Sequence, residues 1–82
     1  MDKRIIYQVV VAKTSSDNEN WNYKTVYRAL NESACKQKAG LLRKEHPEYA
    51  FIVLEKRNEI ADGYIGWELD HDAGGEEVLE HY

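Results

Sequence analysis

Apolar residues fall along this chain in two kinds of run. In RIIYQVVVAK (4–13) and at the start of YAFIVLEKR (49–57) they occupy consecutive positions, so both sides of an extended chain are apolar. That is the pattern of a strand in the middle of a sheet, and Val, Ile, Tyr and Phe are strand formers. In WNYKTVYRA (21–29) the pattern alternates instead. Trp21, Tyr23, Thr25 and Tyr27 share one face, and Asn22, Lys24, Val26 and Arg28 share the other. A period of two predicts a half-exposed strand. The polar cluster TSSDNEN (14–20) separates the first two strands as a turn.

Past residue 30 the period lengthens to that of a helix. Asn31 is a good N-cap, Glu32 sits in the first turn and Pro47 ends the helical segment. Ala34, Cys35, Ala39, Leu41 and Leu42 gather on one side, with Lys36, Arg43 and Lys44 opposite. The helix is therefore apolar inward and basic outward.

Asp62-Gly63 is a two-residue hairpin signal. With that turn, Ala61 opposes Tyr64, Ile60 opposes Ile65 and Arg57 opposes Glu68. Ile52, Leu54, Ile60, Ile65, Trp67 and Leu69 then share one face, and Glu55, Arg57, Tyr64, Glu68, Asp70 and Asp72 the other. The predicted order of elements is β-β-α-β-β. A right-handed crossover through the helix, skipping the first strand, gives sheet order 2-1-3-4 with antiparallel neighbours. The expected class is α+β: a four-stranded antiparallel sheet with one helix on one face and the other face open. Residues 1–73 make this single domain. Gly74-Gly75 then releases residues 74–82, which read as an acidic C-terminal tail.

Composition narrows what such a domain can do. Eighty-two residues, 43% of them hydrophobic, build one modest core and leave little room for a deep substrate pocket. The single cysteine excludes an internal disulfide and points to a reducing compartment. No apolar run approaches the roughly 20 residues that span a bilayer, and MDKRII is not a secretory leader. A cytoplasmic protein with no membrane partner is expected.

Charge changes the picture more. Residues 1–57 hold all eleven Lys and Arg and seven acids; residues 58–82 hold eight acids and no Lys or Arg. The first part is net +4 and the second −8, an asymmetry that points to interaction surfaces. The acidic residues Glu68, Asp70, Asp72, Glu76, Glu77 and Glu80, with Tyr64, form the first candidate partner-binding surface. Lys36, Arg43 and Lys44 on the helix form the second. The run beginning at Asp70 fails as a calcium loop, because Gly74 holds its fifth position and His81 its twelfth. No metal or cofactor is expected.

Catalysis has no footing in the pattern. Paired carboxylates need one desolvated member to act as acid and base, and an edge strand does not supply it. Cys35 lies on the inward face of the helix, the ordinary place for a small core residue. Six tyrosines and two tryptophans, by contrast, are abundant for so small a core, and such side chains are favoured at protein interfaces. The acidic end would repel nucleic acid, and neither central strand carries an RNA-binding signature, so direct nucleic-acid binding is not expected. An exposed edge strand also allows pairing with a second copy of the chain. The expected function is non-catalytic protein binding. The alternatives are a small nucleic-acid-binding module using the basic helix face and tyrosines, and a metal-dependent regulator or enzyme using the acidic strand.

A cytoplasmic β-β-α-β-β domain of this size, acidic overall and without catalytic groups, resembles the small phage-encoded inhibitors of bacterial defence of the anti-CRISPR type. That resemblance implies a stoichiometric inhibitor occupying the basic, nucleic-acid-binding groove of a CRISPR-Cas-type complex. Carboxylates spaced along a strand would stand in for phosphates there. At −4 the net charge is mild for a full nucleic-acid mimic.

Overall fold

The computed structural model describes residues 2–13 and 23–82; the predicted turn at 14–20, with Trp21 and Asn22, lies outside them. Five strands and one helix follow in the order β1 (Lys3–Ala12), β2 (Lys24–Ala29), α1 (Glu32–Glu45), β3 (Phe51–Asp62), β4 (Gly66–Leu69) and β5 (Glu76–His81). The sheet runs β2-β1-β3-β4 with every pair antiparallel, so the predicted α+β layout and strand order hold. The two strands apolar on both faces, β1 and β3, are the central pair.

The helix forms where capping and patterning agree. The Asn31 side chain accepts a hydrogen bond from the Ser33 amide at 2.8 Å, and the His46 amide closes the far end on the Leu42 carbonyl. Cys35, Ala39 and Leu42 pack on Val9, Val11, Ile52 and Leu54, which together form the buried core. Burying each large aliphatic side chain stabilises by about 1.5–3 kcal/mol. Leu41 does not join this seam; it is 54% exposed and belongs to the outer face of α1.

Three further sequence expectations need correction, all of them about register or pairing. The β3–β4 turn is one residue longer than Asp62-Gly63 implies: Asp62 pairs with Gly66, Ala61 with Trp67, Ile60 with Glu68 and Glu59 with Leu69. The Asp62 carboxylate accepts from the Tyr64 amide at 2.8 Å and the Ile65 amide at 3.1 Å, and Gly66 takes the left-handed conformation at φ 89°. That combination builds a three-residue loop, closed by the second glycine rather than the first. An odd shift moves a whole strand to the other face. Trp67 and Leu69 therefore share a face with Glu59, and Glu68 lies on the helix side opposite Ile60.

The segment read as an acidic tail is β5. It pairs with β3 from Val53↔His81 to Arg57↔Glu76, beside β4 on the same edge of the long β3. Its cross-strand neighbours include Lys56 opposite Glu77 and Arg57 opposite Glu76, opposite charges that favour the pairing. Leu79 and Tyr82 pack against the core and anchor it.

The third correction concerns β2, where a bulge separates the partners of Val9 and Val10. Tyr27 opposes Val9 on the helix side and Thr25 opposes Val10 on the other, so the face expected to unite Thr25 and Tyr27 is split. A second bulge in β5 separates the partners of Leu54 and Glu55. Val9 pairs with Leu54, so the two bulges stand level on opposite sides of the central pair. Each sharpens the local twist of its strand, and together they curl the sheet about that level.

Candidate functional site

The predicted acidic residues are placed on one side of the sheet but on different faces. β4, β5 and their connection all lie on the side of β3 away from β2 and carry every one of them. Tyr64, at the tip of the β3–β4 loop, is fully exposed. Glu68 faces the helix side, as do Glu77 and Glu80, opposite Lys56 and Leu54; Glu76 faces the open side opposite Arg57. Asp72 is exposed in the β4–β5 connection.

Asp70 does not belong with them. It is 7% exposed, its carboxylate accepts from the Ala73 amide at 3.1 Å, and Lys3 Nζ lies 3.6 Å away. Its backbone amide donates to the Asn58 carbonyl, and its carbonyl accepts from the Gly75 amide. Asp70 is thus the buried polar pin of the β4–β5 connection, and its charge is unavailable to a partner.

Two of the three predicted helix cations are engaged within the chain. Arg43 Nε donates to the Tyr82 carbonyl at 2.9 Å, and Nη1 to the carbonyls of Tyr49 at 2.9 Å and of His46 and Pro47 at 3.4 Å. Its planar guanidinium ties the helix end, the α1–β3 connection and the end of β5 together. Lys36 lies 3.7 Å from Glu32 and 3.8 Å from Glu80. Lys44 is exposed on the outer face. Much of the charge asymmetry along the sequence is therefore internal complementarity: Glu80 meets Lys36, Glu76 meets Arg57, and Glu77 stands across from Lys56.

The feature the sequence did not announce is on the open face. Two lateral rows of side chains cross four strands there: Arg28–Gln8–Glu55–Val78 and Thr25–Val10–Val53–His81. Over these rows lies a trough of about 340 Å³, lined by Gln8, Val10, Thr25, Val53, Glu55, Val78 and His81, with Tyr23 and Phe51 at one end and Glu76 at the other. Tyr23 and Phe51 meet edge to face at 5.0 Å between ring centres. The edge bulges explain the concavity, since a flat sheet would leave no such hollow.

Polar groups in this trough are fixed by buried contacts. Gln8 is 2% exposed, and its amide nitrogen donates to Glu55 Oε1 at 2.7 Å. Its amide oxygen is sealed from solvent and has no donor among the described residues, which ordinarily costs about 1–3 kcal/mol. A single Gln inside an otherwise apolar strand was the available signal in RIIYQVVVAK.

Beside the trough runs a ladder of ion pairs. Arg4 Nη2 lies 3.2 Å from Glu59 Oε2, and Arg57 Nε lies 3.7 Å from both Glu59 and Glu76. The Arg4 guanidinium also sits 4.0 Å over the Trp67 ring. Glu59, at 5% exposure, is flanked by two guanidinium groups.

Ionisation follows from these settings. Burial pushes the Cys35 thiol up from its ordinary value, partly offset by a backbone hydrogen bond at Ala29, so the thiol stays protonated. The two amides donated to Asp62 hold its carboxyl below the usual range. Burial, and then the hydrogen bond its hydroxyl donates to Glu80 at 2.5 Å, push the Tyr82 phenol up to about 12. No group of three or more His, Cys, Asp or Glu able to hold a metal ion occurs among the described residues. Likewise no helix there is long and apolar enough to cross a membrane. Comparison with family models, with curated proteins and with solved structures finds no match.

Proposed function

We propose that the chain is a non-catalytic protein-binding domain that presents the acidic side of its sheet to a basic partner. One observation carries the reading. β4 and β5 occupy the same edge of β3, so the exposed Glu68, Asp72 and Glu77 collect along one side, beside Glu76 and Glu80, which are already met by Arg57 and Lys36. Lys24 and Arg28 lie on the opposite edge strand, β2. The sheet is electrically polarised across its width, which steers and orients a charged partner even where single surface pairs add little affinity. Charges on an exposed edge also prevent unwanted strand pairing, and both roles use the same residues.

The narrower form of the proposal comes from the resemblance in layout: a stoichiometric inhibitor of a nucleic-acid-handling complex of bacterial defence, its carboxylates set against a cationic groove. The test is capture from bacterial lysate by the wild type and by a Glu68→Lys/Asp72→Lys/Glu77→Lys variant, which spares the structural Asp70. A basic nucleic-acid-handling complex retained by the wild type alone supports the reading. Equal capture by both removes the acidic side from the function and leaves it as edge protection.

A further inference from the structure

The trough on the open face carries chemistry of its own. Its ionisable lining is Tyr23, Glu55, Glu76 and His81; Arg28 ends one of the rows beneath it and Arg57 lies beside Glu76, but neither forms part of its wall. The recess of comparable size at the other end of the sheet is different: Lys3 and Arg4 face Glu59 and Asp70 there, and each cation is already paired. Carboxylates outnumber cations in the wall of the trough and match them in the wall of the recess.

We propose that this trough is a subsite for an arginine side chain of a partner protein. Val10, Val53 and Val78 offer an apolar floor for the side chain's methylene stem, and the Tyr23–Phe51 pair offers ring surface at one end. The guanidinium is the cation that both stacks on rings and donates in a planar fork to carboxylates. Gln8 spends its amide nitrogen on Glu55 Oε1 and thereby holds that carboxylate in place, leaving Oε2 to accept. The Gln8 amide oxygen, on a residue only 2% exposed, lies beneath the floor without a donor among the described residues. Glu76 stands at the rim, on the open face by its register opposite Arg57, with one carboxylate oxygen 3.7 Å from Arg57 Nε and the other left to accept. Negative charge, ring surface and a carboxylate held in place by Gln8 together specify a flat, donor-rich cation. The inference rests on the protein-binding reading and shares only Glu76 with the acidic side of the sheet.

The experiment titrates the isotopically labelled chain with N-acetyl-arginine methylamide, following the methyl signals of Val10, Val53 and Val78 by NMR. The citrulline and lysine analogues are titrated in parallel. Saturable shifts of those methyls with the arginine probe, at least tenfold weaker with citrulline and several-fold weaker with lysine, are expected. Glu76→Gln, an exposed change that leaves the core untouched, should weaken the arginine response several-fold, as should Glu55→Gln; should the latter misfold, Glu76→Gln decides. Absence of saturable shifts overturns the subsite. Equal binding of citrulline overturns the need for charge, and equal binding of lysine overturns the guanidinium. The lysate experiment uses a variant with an intact trough, so either proposal can fail while the other stands.

Discussion

Under α1 the sheet presents Val9, Val11, Ile52 and Leu54, a cluster completed by Cys35, Ala39 and Leu42 of the helix. One residue along each strand, the opposite face presents Ile6, Gln8, Val10, Val53 and Glu59, all withdrawn from solvent to a similar degree. The first set is held by a helix that fits it. The second combines apolar floor with an amide, carboxylates and guanidinium groups joined in a ladder. The contrast teaches that continuous apolarity in β1 and β3 serves two ends. On one face it supplies cohesion, and on the other it lowers the local dielectric around a few polar groups so that their interactions count.

The widest gap between the faces should appear on truncation. Leu54→Ala leaves a hole that the helix cannot fill, and should cost about 2–5 kcal/mol, lowering Tm by roughly 10 °C or more in thermal unfolding. Val53→Ala, its neighbour on the open face, should cost roughly half as much. Equal losses would erase the distinction. Next in size is the ladder. Glu59→Gln leaves the largely buried Arg57 short of a counter-charge and should cost on the order of 2–3 kcal/mol in denaturant melts, whereas Glu76→Gln, at the exposed end, should cost under about 1 kcal/mol.

Arg43 tests the seam that joins the helix to β5. Arg43→Lys retains the charge but not the fork that reaches four carbonyls, and should lose about 1–2 kcal/mol. Full recovery by lysine would show that charge alone sufficed. A smaller effect is confined to alkali. Because folding raises the Tyr82 phenol from 10 to about 12, the protonated form belongs to the folded state. Its contribution is complete below pH 10 and is lost as pH rises towards 12. Tyr82→Phe should flatten Tm against pH in that window. Smallest is Asp62, whose lowered value makes its contribution complete above the ordinary carboxyl range and lost as pH falls through the folded-state value. Asp62→Asn keeps the turn's acceptor and should remove only that slight acid dependence.

Strand order and helix were legible because they rest on local pattern. Apolar runs marked β1 and β3, and Asn31 with Pro47 bracketed α1 within two residues. Register was not, because Asp62 is followed by two glycines that can each close a hairpin, and only the backbone conformation at Gly66 decides between them. β5 was hidden because EEVLEH has just two apolar residues; the groups that hold it lie far along the chain, in Lys56, Arg57, Lys36 and Arg43. The trough depends on two bulges, and neither Val26 nor Leu79 differs in type from a residue in an unbroken ladder. Of the predicted surface residues, Asp70 and Arg43 are engaged within the chain, and for a shared reason the sequence does not reveal it. A charged side chain looks the same in sequence whether it faces water or satisfies a buried backbone.

The long β3, with β1 along one side and the β4–β5 pair along the other, has a consequence for how the strand exchanges its protons. Its amides alternate in direction: that of Ala61 bonds to Asp2 on the β1 side, and that of Asn58 to Gly75 on the other. Amides turned inward open only when the central pair separates. Those turned outward are released when β5 merely peels away, a smaller and more frequent excursion. One continuous strand therefore carries two interleaved clocks, one keeping the time of the whole domain and one keeping that of its acidic edge.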